Sequence, residues 1–119
     1  MARSFSLSVA PRQHDHTTVY VFTMNGSLDA HTFPDLEKEF LALMAQGQYR
    51  FVLDFKTLDY ISSAGLGLLL GVQRVASRNS GDLKIANMPD TIYNIFDILG
   101  FSKLIGVYPS WEAAAQSFS

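Results

Sequence analysis

No cysteine occurs in this chain, which excludes disulfides and thiolate metal sites and makes a reducing, internal compartment the natural expectation. Positive charge is not in excess either. The formal net charge is −2, which favours neither a nucleic acid nor an anionic membrane as partner. Long apolar runs are missing. The longest, Ala64 to Val72, has nine residues and is too short to span a bilayer. Charged residues make up only 17% against 48% hydrophobic, a balance that excludes a disordered chain. No Gly-Lys-Ser/Thr follows the glycines at Gly65, Gly67 and Gly71, so a phosphate-binding P-loop is excluded. The N-terminal Ser4-Phe5-Ser6-Leu7-Ser8-Val9 alternates with period two, which predicts a strand and not a targeting segment.

What is present fits one domain over residues 1–119, large enough to bury roughly 65% of the surface of its unfolded chain. Phe5, Leu7 and Val9 define a first strand, and Pro11 to His16 reads as a polar turn region. Val19 to Met24 is a second strand, ended by Asn25-Gly26. A helix starts near Thr32 to Pro34, with Phe33, Leu36, Phe40, Leu43 and Met44 as its core face and Gly47 as its stop. Phe51 to Phe55 is a third strand, followed by a short connection and a second helix from Ser63 or Ala64 to Arg78. Leu83 to Ala86 is a fourth strand. The third helix runs from Pro89 to Leu99, with Ile92, Ile95, Phe96 and Leu99 inward and Gly100 as its cap. A fifth strand over Leu104 to Tyr108 precedes a short helix, Trp111 to Gln116, capped by Ser110.

The predicted class is α/β: an N-terminal hairpin, then alternating helices and parallel strands in one mixed sheet. Right-handed crossovers that advance in one direction place the helices mainly on one face. The second strand is apolar on both sides, with Tyr20, Phe22 and Met24 on one and Val19 and Val21 on the other. Either a further element covers that second face, or it is an interface, including one between weakly associating copies of the chain.

The stretch Tyr60-Ile61-Ser62-Ser63-Ala64-Gly65-Leu66-Gly67 places two serines where a helix begins. One serine there is a natural N-cap. Three glycines in one helix cost stability, about 1 kcal/mol each relative to alanine in a helix interior, and so point to close backbone approach by the sheet or by a partner. A nucleophile elbow does not fit, because Ile61 replaces the first glycine of G-x-S-x-G. His14, His16 and His31 all lie upstream, outside the chain order of known triads. His14-Asp15-His16 is too local to complete a metal site. No catalytic residue, cofactor or metal is therefore expected, and the chain is not read as an enzyme.

Three segments resemble the STAS domains of bacterial anti-sigma factor antagonists. They are Val52-Leu53-Asp54-Phe55 with Ile61-Ser62-Ser63-Ala64-Gly65-Leu66, then Gly26-Ser27-Leu28-Asp29-Ala30, and Phe96-Asp97-Ile98-Leu99-Gly100-Phe101. The resemblance spans residues 5–117 and implies a cytoplasmic regulator of sigma-dependent transcription that works by partner switching. It implies phosphorylation of Ser63, with Ser62 as the other candidate because it stands where many members carry an acidic residue. The implied partners are an ATP-dependent serine kinase that is also the anti-sigma factor, and a metal-dependent serine phosphatase. Unphosphorylated, the antagonist sequesters the kinase. The contact surface expected on physical grounds around that serine is Asp29, Ile61, Ser62, Ser63, Ala64, Gly65 and Leu66, with Ile61 and Leu66 as apolar contacts and Ala64 and Gly65 keeping the turn low. Asp29 is either the residue that orients a donor on the partner or a turn and cap residue of the first helix. The alternative is a STAS module that does not switch and serves as a scaffold in a signalling or transport assembly.

Overall fold

A computed structural model describes residues 5–118, so Ser4 of the first predicted strand and both ends of the 1–119 domain lie outside the described residues. The order of elements is β1 (Phe5–His14), β2 (Thr17–Leu28), α1 (Phe33–Ala45), β3 (Arg50–Ile61), α2 (Ser63–Arg78), β4 (Asp82–Ala86), α3 (Asp90–Ile98), a 3-10 turn (Phe101–Lys103), β5 (Val107–Tyr108) and α4 (Trp111–Gln116). The strands form one sheet in the order β1-β2-β3-β4-β5. β1 and β2 are antiparallel, and the pairs β2-β3, β3-β4 and β4-β5 are parallel. This is the mixed sheet and N-terminal hairpin expected from the pattern.

Several boundaries are corrected. The hairpin is longer than its polar segment suggested. Pro11 pairs with Tyr20 and His14 with Thr17, so only Asp15 and His16 turn. Proline is tolerated on an edge strand, which leaves one side of its backbone unpaired. Asn25-Gly26 does not end β2. The register shifts between Thr23 and Asn25 and between Gly26 and Ser27, and the strand continues to Leu28. Gly26 takes a left-handed φ of 94°, a conformation that a bulge and a turn share. β3 absorbs the predicted connection and runs unbroken to Ile61. In α3, Ile92 and Phe96 face the core, but Ile95 and Leu99 are 52% and 55% exposed. A nine-residue helix lying on a sheet buries one narrow stripe, and those two side chains fall on its flank. The fifth strand shrinks to Val107–Tyr108, because the Leu104 and Ile105 N–H groups bond back to the Phe101 carbonyl and close the 3-10 turn, leaving Leu104 exposed.

The main core lies between the sheet and α1, α2 and α3. Phe22, Met24, Phe51, Leu53 and Phe55 from the strands meet Leu36 and Phe40 of α1, Leu66, Leu69 and Val72 of α2, and Ile92 and Phe96 of α3. The second face of β2 is covered by α4: Val19, Val21, Val52 and Ala86 pack on Ala114 and Ala115. Ser110 caps that helix, its hydroxyl accepting from the Ala113 N–H at 3.1 Å. Two cations seal its margins. The Arg12 guanidinium lies 5.1 Å from the Trp111 ring centroid, and the buried Lys84 ammonium donates to Ser117 while facing the Phe118 ring at 4.2 Å. β2 and β3 finish together at one end of the sheet, and α2 begins there with the serine turn.

Candidate functional site

β2 and β3 end side by side, with Leu28 in register with Ile61. The residue after Ile61 is stitched to that pair: the Ser62 N–H donates to the Leu28 carbonyl at 2.8 Å. Ser62 is extended, with φ −86° and ψ 169°, and α2 starts at the next residue. Its hydroxyl accepts from the Gly65 N–H at 3.2 Å, and its carbonyl accepts from the Leu66 N–H at 2.9 Å. Ser62 is thus the N-cap, with both backbone groups and the side chain engaged.

Ser63 differs in every respect. It is the first helical residue, it is exposed, and its hydroxyl has no hydrogen-bond partner among the described residues. Ala64 is exposed beside it. Gly65 is buried, and a Cβ there would stand 3.1 Å from Ile61 Cγ1 and 3.1 Å from Leu28 Cγ. The start of α2 therefore sits directly on the sheet ends, which holds the Ser63 hydroxyl on rigid backbone. Ile61 and Leu66, expected as apolar contacts for a partner, are instead 7% and 5% exposed and belong to the core. They set the turn's position; they offer almost no contact area. The reason is the parity of the turn: the residues on either side of the serines complete the sheet face and the first buried turn of α2.

Asp29 follows Leu28 directly, so it stands at the same end of the sheet. Its carboxylate accepts from the His31 N–H at 2.9 Å and the Thr32 N–H at 3.2 Å. The Asp29 N–H donates to the Thr32 hydroxyl at 2.8 Å, and that hydroxyl donates to the Ser27 carbonyl at 2.7 Å. Of the two roles open in the sequence, the turn role is built into these bonds. The His31 amide holds the Asp29 carboxyl below the ordinary aspartate value; the Thr32 amide and hydroxyl and the nearby His31 assist, and desolvation opposes. A depressed pKa means the unfolded chain binds more protons in acid. Its stabilising contribution is thus complete above the ordinary aspartate value and disappears as pH falls through the lowered one. Asp29→Asn is expected to flatten the pH dependence of stability in that acidic window, lowering stability at neutral pH and changing it least below the window. Denaturant unfolding from pH 2 to 7 checks it, and identical slopes for the two proteins would be the contrary result.

The serines also divide by expected effect. Ser62→Ala removes the cap and should cost about 1 kcal/mol of stability, whereas Ser63→Ala should change stability by under about 0.5 kcal/mol. Urea unfolding of both variants measures this, and a larger loss for Ser63→Ala would reverse the assignment of the cap.

Reading the sequence missed Thr32 as the loop's organiser and Leu28 as the carbonyl that anchors Ser62. The Ser-Leu-Asp-x-x-Thr spacing was a signal for the first; nothing local signals the second. His14, doubted as a ligand, hydrogen-bonds Gln116 at 2.7 Å and meets the Trp111 ring edge-on. No group of three or more metal-ligating side chains is found among the described residues, and none of the described helices is long and apolar enough to cross a membrane.

Residues 9–114 match the family model of the STAS domain. BtrV of Bordetella bronchiseptica, provisionally named an anti-sigma factor antagonist, is 36% identical over 95 residues, which cover 80% of this chain and 82% of that protein. The anti-sigma-B factor antagonist of Staphylococcus epidermidis is 29% identical over 97 residues, covering 82% of this chain and 90% of its own. The anti-sigma factor antagonist SpoIIAA, solved unphosphorylated, superimposes with a TM-score of 0.75 at 22% identity, covering 96% of each chain. The phosphorylated Bacillus SpoIIAA gives 0.72 at 20% identity, covering 94% of this chain and 99% of that one.

Proposed function

Since this chain belongs to the STAS domain family, we propose that it is an anti-sigma factor antagonist controlled by phosphorylation of Ser63. In its unphosphorylated form it sequesters a serine-kinase anti-sigma factor and so frees a sigma factor for transcription. ATP-dependent phosphorylation of Ser63 by that kinase releases it, and a metal-dependent phosphatase resets it. Residues 1–119 act as one regulatory, non-catalytic domain in the cytoplasm.

One observation supports Ser63 over its neighbour. Of two adjacent serines, only Ser63 is exposed with a hydroxyl that makes no bond among the described residues, while the Ser62 oxygen is occupied by the helix cap. A phosphoacceptor must enter a kinase site without dismantling its own fold, and Ser63 meets that condition. The surface offered there is Ser63 and Ala64, flanked by the half-buried Ser62 and Asp29. Gly65, Ile61 and Leu66 shape it from below.

Phosphorylation adds a charge of about −1.5 to −2. At the N-terminus of α2 that charge is favourable by roughly 0.3–1 kcal/mol, so the domain keeps its fold. A partner packed over Ser63 would bury the dianion unpaired, which costs several kcal/mol. The second effect outweighs the first, and the complex dissociates. The direct test is incubation with the kinase and ATP, followed by mapping of the phosphate by mass spectrometry. Phosphate on Ser63 is expected; modification of Ser62 alone, or of neither serine, would refute the assignment.

A further inference from the structure

Two glycines of α2 are not required by internal packing. A Cβ at Gly65 would press on Ile61 and Leu28, but at Gly67 and Gly71 it would meet nothing within 4 Å. Both are exposed in mid-helix, where glycine weakens a helix relative to alanine. The fold is therefore weakened by them with no internal packing in return. Ser63, Gly67, Gly71 and Val75 succeed one another at intervals of four, so they form one continuous ridge. Where α2 runs alongside α1, that ridge borders an apolar groove of about 310 Å³ lined by Leu41, Met44, Leu68 and Val75. Leu41 and Val75 are 58% and 41% exposed, and Glu37, also in the lining, forms no ion pair among the described residues.

The size of a protein interface says what covers the groove. A stable contact takes about 800 Å² from each partner, a disc of about 16 Å radius. At 1.5 Å per residue, Gly67 lies about 6 Å and Gly71 about 12 Å along the helix from Ser63. A disc of that radius centred on Ser63 reaches both glycines and the near end of the groove that they line. Resting on the proposed role of Ser63, we infer that the α1–α2 groove receives an apolar side chain of the same kinase, with Gly67 and Gly71 letting its backbone approach and Glu37 facing a basic residue. The groove, and not the buried Ile61 and Leu66, supplies the apolar part of the interface.

The probe is the purified kinase that phosphorylates Ser63 in the mapping experiment. Gly71→Leu fills the groove with a good helix former, and Glu37→Lys reverses the rim charge. Gly71→Leu should weaken binding at least tenfold while its unfolding temperature stays equal or rises, a pairing that no folding defect produces. Glu37→Lys should slow association, most strongly at low salt. Undiminished affinity of both variants for a kinase that does modify Ser63 would overturn the groove assignment alone. Absence of any kinase acting on Ser63 would overturn both. A dimer of the chain by itself, abolished by Gly71→Leu, would assign the groove to a second copy and likewise overturn the inference.

Discussion

Replacing Ser63 with aspartate is expected to weaken binding to the kinase by about a hundredfold or more, while alanine at the same position binds as the unmodified protein does. A hundredfold loss corresponds to about 2.8 kcal/mol at 1.4 kcal/mol per decade. Several kcal/mol is the cost of an unpaired charge in a closed interface, so the change is within reach of one carboxylate. The fold should not suffer. Ser63 is the first residue of α2, where the exposed N–H groups of the helix favour negative charge, and its hydroxyl has no bond to lose among the described residues. Thermal melts of the aspartate and alanine variants should therefore agree with that of the parent within a few degrees. Calorimetric titration with the kinase reads the affinities. Equal affinity for the aspartate and alanine variants would rule out an electrostatic switch, and a collapsed melt for the aspartate variant would replace it with a folding effect.

The largest effect on stability is expected from Phe40→Ala, at about 3–5 kcal/mol. Phe40 is fully buried and is one of three mutually contacting rings from three elements. It stacks on Phe22 of β2 with centroids 4.5 Å apart and meets Phe51 of β3 edge-on at 5.1 Å. Phe22 and Phe51 complete the triangle at 5.8 Å. Truncation leaves a cavity that α1 and the two strands cannot close together, because each ring is held by a different element. Against a typical total of about 5–15 kcal/mol, that loss is large, and it should lower the melting temperature by on the order of 10–20 °C. Urea unfolding with an unchanged m-value is the measurement. A loss below about 1 kcal/mol would mean that the ring triangle does not anchor α1. The same variant would disturb the α1–α2 groove, which Phe40 helps to line, so binding data on it must be read against its stability.

The helices were legible where apolar periodicity and end signals agree. α2 spans Ser63–Arg78 and α4 spans Trp111–Gln116, as Ser62, Ser110 and their apolar faces predict. The strands were less so, and each failure has a physical cause. On the face of β3 that meets α1, α2 and α3 the buried positions run Phe51, Leu53, Phe55 and then Leu58 and Ile61, so the two-residue period breaks where β2 is irregular beside it. A bulge looks like a turn to a reader of one strand, because Asn25-Gly26 satisfies the same backbone demands in both. Ile95 and Leu99 have helical spacing, yet only the sheet's position decides which flank of a helix is wet. Leu104 is apolar and β-compatible but exposed, since it closes the 3-10 turn just before it, its N–H donating to the Phe101 carbonyl at 2.9 Å.

Within the site the division is sharper. The chain's own order of residues determined that a hydroxyl stands at the head of α2 and that glycines follow it, because helix starts and glycine costs are set by near neighbours. Which hydroxyl is free was decided elsewhere. The Leu28 carbonyl, on a strand far upstream, holds the Ser62 N–H and fixes Ser62 as the cap, leaving Ser63 outward. The same packing turned Ile61 and Leu66 inward and opened the groove against α1. Exposure is a property of contacts between segments distant in the chain, and no local pattern of residues contains it.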